Sequence, residues 1–251
     1  GNQYAVNYMW GTTGIGYNVN KIKERMPDAP LDSWSMVFDP AVISKFKDCG
    51  VMFLDAPDEV IPAALNYLGK NPNSRTPEDY AAAEELLKKV RPFVKKFHSS
   101  EYINALANGD ACLVIGWSGD IKQAASRAEE KSKTQKDPKK KVEVGYIIPK
   151  EGAGTFYDNL TIPKDAKNID EAYAFIDYLL RPEVIAKASN AISYANGNID
   201  SQAFIDKAIL EDRSVFPDEA TMKKLFTVLP ITDQKVQREA TRIWRDIKRK
   251  Q

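Results

Sequence analysis

The sequence predicts an α/β protein with a largely parallel sheet. Three observations carry that class. Short strand-like runs alternate with longer amphipathic segments along the chain. The run Ala111-Cys112-Leu113-Val114-Ile115-Gly116-Trp117 is apolar without a break, the pattern of a strand buried on both faces. Helix starts are marked by Pro, or by a capping Ser or Asp, soon after such runs.

In chain order, Tyr4 to Trp10 and Gly14 to Asn18 read as two strands separated by a Gly11-Thr12-Thr13-Gly14 turn. Val19 to Met26 is helical. Asp39-Pro40 opens a helix through Phe46, with Pro in the permitted first turn. Val51 to Asp55 is a short buried strand. Pro57 opens a helix through Leu68, with Val60, Ala64 and Tyr67 on one face. Pro77 opens another through about Phe93. Its acids come first and its Lys88, Lys89 and Arg91 last, as the helix dipole favours. Ser100 caps a helix from Glu101 to Ala107 that Asn108-Gly109 stops. Ala111 to Trp117 is the buried strand, and Ser118-Gly119-Asp120 starts a helix to about Lys131. Lys131 to Lys141 is a Lys-rich surface loop. Val142 to Ile148 and Thr155 to Ile162 are strands joined by Pro149-Lys150-Glu151-Gly152-Ala153-Gly154. Helices follow at Ile169 to Leu180 and Pro182 to Ile192, then a short strand at Ser193-Tyr194-Ala195. Gln234 to Arg249 closes the chain as a helix.

Composition bounds the function. At 251 residues the chain holds one or two domains. With 43% hydrophobic and 28% charged residues it is globular rather than disordered. Thirty-six basic residues against 35 acidic ones leave +1, so no overall field draws it to nucleic acid or an anionic membrane. Its longest apolar run falls far short of the roughly 20 residues of a membrane helix. One His rules out a His-rich metal site, and two Cys rule out a four-cysteine zinc site. Gly1 to Trp10 lacks an initiator Met, a basic segment and an apolar leader. It reads as the start of a fragment or processed piece.

Several motifs invite chemistry. Gly11, Gly14 and Gly16 are spaced G-x-x-G-x-G, the reverse of a dinucleotide fingerprint, and no GK[ST] follows; a turn explains them better. Gly116-Trp117-Ser118-Gly119-Asp120 lies where a nucleophile elbow would place its serine. The elbow needs Gly two places after Ser118, and Asp120 stands there. The only candidate base is His98, and nothing places it near Ser118. Trp117 and Asp120 have a second reading. They sit at a strand's carboxyl end beside a helix start, where α/β proteins bind ligands. An indole face and a carboxylate suit an organic cation. The plain alternative is a packed Trp and a first-turn Asp. Phe156-Tyr157-Asp158 repeats the pairing inside a strand, where Asp is depleted and wants a reason such as a cleft. Asp55, Asp58 and Glu59 form a third acidic group at a strand-to-helix junction. Together these suggest a cationic, partly aliphatic small ligand. Cys49 and Cys112 are either inert buried thiols or a bridge. A bridge would close a loop of about 63 residues, contribute about 4 kcal/mol, and imply an oxidising compartment.

Tyr8-Met9-Trp10-Gly11-Thr12-Thr13-Gly14-Ile15-Gly16-Tyr17-Asn18 resembles a hallmark stretch of bacterial periplasmic polyamine-binding proteins. So do Phe53-Leu54-Asp55-Ala56-Pro57, Leu106-Ala107-Asn108-Gly109-Asp110, Ile115-Gly116-Trp117-Ser118-Gly119-Asp120 and Tyr178-Leu179-Leu180-Arg181-Pro182. The match runs from end to end and is nearest the putrescine-binding branch. The resemblance implies a type II periplasmic binding protein, two lobes joined by a hinge, that delivers its ligand to an ABC transporter permease. It implies a periplasmic monomer with no cofactor, no metal and no catalytic residues. The ligand contacts carried over are Glu59, Trp117, Asp120, Phe156, Asp158 and Tyr194. Asp158 would take one ammonium, Glu59 and Asp120 would lie toward the other end, and the rings would pack the methylenes. A Cys49–Cys112 disulfide is implied as well. Phe156 is smaller than the Trp of spermidine-preferring relatives, which favours putrescine over spermidine.

The same resemblance implies that the family's first third is missing. Residues 1–12 and 143–193 would be an N-terminal-lobe remnant, and 13–142 with 194–251 a C-terminal lobe. Exposed apolar surface and weak ligand binding by this chain alone are expected. The alternatives are a polyamine-sensing receptor of the same fold and an α/β serine hydrolase using Ser118.

Overall fold

The computed structural model describes residues 3–137 and 141–249. A mixed eight-stranded sheet organises them. Its strands are β1 (Val6–Asn18), β2 (Val51–Phe53), β3 (Lys96–Phe97), β4 (Leu113–Trp117), β5 (Val144–Ile147), β6 (Gly154–Leu160), β7 (Ala195–Asn196) and β8 (Phe226–Thr227). The main path runs β3-β2-β4-β1-β6-β8, and β5 and β7 also pair with β1.

Strand β1 corrects the expected turn at Gly11-Thr12-Thr13-Gly14. The stretch stays extended because ladders hold it on both edges. Val6 to Thr13 pairs with β6, Met9 and Trp10 with β7, Thr13 to Tyr17 with β4, and Ile15 to Asn18 with β5. Buried β-branched Thr12 and Thr13 fit a ladder, and the pairing outweighs the turn tendency of the flanking glycines. The two halves of β1 therefore have different neighbours.

The sheet is also less parallel than expected. All four ladders on β1 are antiparallel, and only β2–β3, β2–β4 and β6–β8 are parallel. An unbroken apolar run such as Leu113 to Ile115 reports burial on both faces. It does not encode the direction of its neighbours.

Helices cover this sheet. They are α1 (Val19–Arg25), α2 (Ser35–Phe38), α3 (Pro40–Ile43), α4 (Pro57–Tyr67), α5 (Pro77–Val90), α6 (Glu101–Asn108), α7 (Ser118–Thr134), α8 (Ile169–Leu179), α9 (Pro182–Ile192), α10 (Lys207–Leu210), α11 (Glu219–Met222) and α12 (Gln234–Lys248). Pro77 opens α5 behind a Thr76 cap, and Asp39 caps α3. The cap of α6 differs from expectation. The Ser100 side chain makes no capping bond, and His98 Nδ1 instead accepts from the amides of Ser100 (3.2 Å) and Glu101 (3.1 Å). Helix α7 extends past Lys131 to Thr134, so the Lys-rich loop is shorter than expected; residues 138–140 of that loop lie outside the described residues.

One core joins β2, β4, the Ile15 end of β1 and the packed faces of α2 to α7 and α12. Trp34, Phe38, Phe46, Phe53, Tyr102 and Leu113 lie at its centre. Each large apolar side chain buried there stabilises the fold by about 2 kcal/mol. Helix α12 presents Ala240, Ile243, Trp244 and Ile247 on one helical face to this core. Asp55 holds α12 at its far edge, accepting from Trp244 Nε1 (2.8 Å) and pairing with Lys248 Nζ (2.7 Å). Cys49 and Cys112 form a disulfide with Cα atoms 5.5 Å apart. Around the β5–β6 connection, Trp34 Nε1 donates to Gly152 O (2.8 Å), and Asn66 Nδ2 donates to Glu151 O (3.0 Å) and Gly152 O (3.1 Å). Helix α8 differs from the other long helices. It buries no residue, and Tyr173 and Phe175 on it stand 59% and 58% exposed.

Candidate functional site

The carboxyl end of β4, the first turns of α4 and α7, the middle of β6 and the segment before β7 meet where β1 changes partners. Trp117 is the last residue of β4, and its ring meets Phe156 edge-on at 6.4 Å between centroids. Phe156, on β6, meets Tyr194 in the same way at 6.0 Å. The three rings form one continuous row. Gly11 of β1 makes room for it: a Cβ there would lie 2.9 Å from Phe156 Cζ, 2.9 Å from Tyr194 Cε1 and 2.8 Å from Ser118 Oγ. The glycine that suggested a nucleotide loop is a place where side chains cross close to a strand.

Three carboxylates border the row, each in a different state. Glu59, in the first turn of α4, accepts from Thr13 Oγ1 at 2.5 Å. Burial raises its pKa, and Asp58 adds to that; the Thr13 hydroxyl and the Trp117 indole pull the other way without cancelling it. Asp120, in the first turn of α7, is held at both oxygens. Tyr102 Oη donates to Oδ2 (2.8 Å) and Tyr194 Oη to Oδ1 (2.9 Å). Asp158 lies two residues beyond Phe156 on the same face of β6, since pairing is regular from Phe156 to Asp158. Its carboxylate has no hydrogen bond or ion pair among the described residues, and partial burial raises its pKa.

Five of the six residues expected from the sequence thus touch one another in a chain: Glu59 to Trp117, Trp117 to Phe156, Phe156 to Tyr194, Tyr194 to Asp120. Asp158 joins by its place on β6. Asp55 and Asp58, grouped with Glu59 in the sequence, do different work. Asp55 anchors α12. Burial pushes its carboxyl up, but Lys248 and Trp244 outweigh that and hold it low.

Sequence reading missed Thr13, Tyr102 and Tyr146. Tyr146 Oη lies 2.8 Å from Thr12 Oγ1 and donates to Thr12 O (2.9 Å), and burial pushes its pKa far up. Glycines within β1 and β4 were the available signal, because a glycine in a strand often marks a close approach. The hydrolase arrangement is absent. Ser118 Oγ accepts from Thr12 N (3.2 Å), while His98 is engaged with Ser100 and Glu101.

This geometry can bind an organic cation, with rings along its body and carboxylates at its ends. Residues 1–217 match the family of bacterial extracellular solute-binding proteins. The chain belongs to that family. The chain is 51% identical over 249 residues to the putrescine-binding periplasmic protein SpuD of Pseudomonas aeruginosa, a match covering 99% of the chain and 66% of the relative. It is 48% identical to the putrescine-binding periplasmic protein PotF of Escherichia coli, covering 98% and 65% respectively. The chain therefore spans just under two thirds of the length of these relatives. Among solved structures it resembles the spermidine/putrescine ABC transporter substrate-binding protein PotD of Streptococcus pneumoniae. That match has a TM-score of 0.77 and 27% identity, and covers 99% of this chain and 69% of that one. Its mixed α/β fold is accordingly that of periplasmic binding proteins.

Proposed function

We propose that this chain binds a polyamine, with putrescine favoured over spermidine, and serves a periplasmic solute-binding protein that hands its ligand to an ABC transporter permease. The observation that carries the reading is the aromatic row Trp117–Phe156–Tyr194 bordered by Glu59, Asp120 and Asp158. A diamine at neutral pH is a flexible rod with a charge at each end. Binding strips its hydration, so carboxylates must replace water at the ends and apolar walls must take the middle. Asp158 is the anchor for one ammonium, because of the three carboxylates only this one has no hydrogen bond or ion pair among the described residues. Glu59 and Asp120 would serve the second ammonium. No nucleophile or general base is needed, and the names of SpuD and PotF support the same ligand class.

In this reading β1 is a hinge strand, crossing between lobes near Thr12 and Thr13 where its neighbours change. The division expected from the sequence puts residues 1–12 and 143–193 in one lobe, and 13–142 with 194–251 in the other. Two boundaries are better drawn later. β5 still pairs with Ile15 to Asn18, which favours a crossing near Gly154, and β7 pairs with Met9 and Trp10, which favours one beyond Asn196. Competition calorimetry with putrescine and spermidine tests the ligand. Saturable putrescine binding that spermidine displaces only weakly is expected. Clear preference for spermidine, or no binding of either, contradicts the proposal.

A further inference from the structure

The turn Gly116-Trp117-Ser118-Gly119-Asp120 spends two glycines within five residues, and both lie against tyrosines. A Cβ on Gly116 would come 2.6 Å from Tyr102 Cε2, and one on Gly119 would come 2.4 Å from Tyr194 Cδ2. Each ring therefore occupies the space a side chain would need. Each also ends in a hydroxyl on Asp120, one per carboxylate oxygen.

Tyr102 does more than donate to Asp120. Its hydroxyl accepts from the Trp117 amide at 3.2 Å, so one oxygen ties together the backbone under the indole and the carboxylate three residues on. The ring is fully buried in the core. Burial first, and then the charge of Asp120, pushes the Tyr102 pKa far up, so the phenol keeps its proton and remains a donor. Tyr194 stands in the aromatic row, whereas Tyr102 reaches Asp120 from the core on α6.

We propose that Tyr102 is a positioning residue for the polyamine site: seated over Gly116, its hydroxyl fixes the Asp120 carboxylate and the Trp117 backbone in the orientation that meets an ammonium group. The proposal rests on the polyamine reading above. A carboxylate has about four acceptor positions, and two tyrosines use two of them. The rest stay free for a ligand, on a side chain that can no longer rotate. Preorganisation of this kind strengthens binding by removing the cost of ordering the receptor.

The test is a double-mutant cycle on the 251-residue chain, read by putrescine calorimetry. Tyr102→Phe keeps the ring in the core and removes only the hydroxyl. It is expected to weaken putrescine binding roughly tenfold, in line with loss of a hydrogen bond to a charged group. Added to Asp120→Asn it should cost little more than Asp120→Asn alone. Added to Asp158→Asn it should cost its full factor again. A general structural defect would act alike on both backgrounds. Unchanged affinity in Tyr102→Phe, or equal losses on the two backgrounds, overturns the proposal. Should Tyr102→Phe fail to fold, proton NMR of the wild-type chain serves in its place: a Tyr102 hydroxyl proton that shifts on putrescine binding is expected, and one indifferent to putrescine overturns the proposal. Wild-type chain that binds no putrescine defeats the polyamine reading itself, and the role of Tyr102 with it. Wild-type binding with an indifferent Tyr102 defeats only this inference.

Discussion

At the scale of the residue, the proposed site is a set of carboxylates in unequal states. The Asp158 carboxylate has no partner among the described residues and is partly desolvated, so under the proposed function its charge is available to a ligand. Asp158→Asn keeps its shape and removes its charge. Putrescine affinity should fall by about 1.5–3 kcal/mol, the range for a charge-assisted hydrogen bond; calorimetry showing no loss would remove Asp158 from the site. Glu59 makes a different prediction. Burial raises its pKa in the free protein, so it holds a proton to higher pH than an exposed glutamate. Its contribution to the free protein's stability is full in acid and is lost as pH rises through that raised value. An ammonium beside it favours ionisation, so binding releases a proton in weakly acidic solution and affinity rises with pH there. Calorimetry in buffers of differing ionisation enthalpy should detect the release, and Glu59→Gln should diminish it. Equal release by the variant would place the coupled proton elsewhere. Trp117, Asp120 and Asp158 stood out as candidates in the sequence because a carboxylate beside a ring, at a strand end or within a strand, has a chemical meaning. Tyr102 did not, because a tyrosine inside an amphipathic helix looks like any other core aromatic.

At the scale of the element, the helices were the legible part. Pro57 and Pro77 mark starts that the structure keeps, and the 3.6-residue spacing of Ala240, Ile243, Trp244 and Ile247 marks the buried face of α12. Strand β1 was misread because its glycines resemble turn residues locally, while the ladders that keep it extended come from β4, β5, β6 and β7, mostly more than a hundred residues away. Ser100 holds the N-cap position of α6 as expected, but its side chain makes no capping bond, because the His98 ring accepts from both amides. His98→Ala should lower stability by about 1 kcal/mol in urea unfolding, as loss of a helix cap does; unchanged stability would mean that water replaces the ring without cost. The Cys49–Cys112 bridge ties the start of β2 to the start of β4 across 63 residues. Replacing both cysteines by serine should lower stability by about 2–5 kcal/mol. Urea midpoints that coincide would show that the bridge adds nothing beyond the packed core.

For the whole molecule, near-neutrality has a functional meaning. A net charge of +1 offers no field to gather a dication, so under the proposed function selectivity would arise from Glu59, Asp120 and Asp158 beside the row of rings. The most direct measurement is a putrescine titration of the 251-residue chain beside its Asp158→Asn variant at neutral pH and moderate salt. The account predicts saturable binding of one putrescine, weaker than micromolar, that the variant largely loses. Absence of binding by the wild-type chain, or equal affinity in the variant, would contradict it.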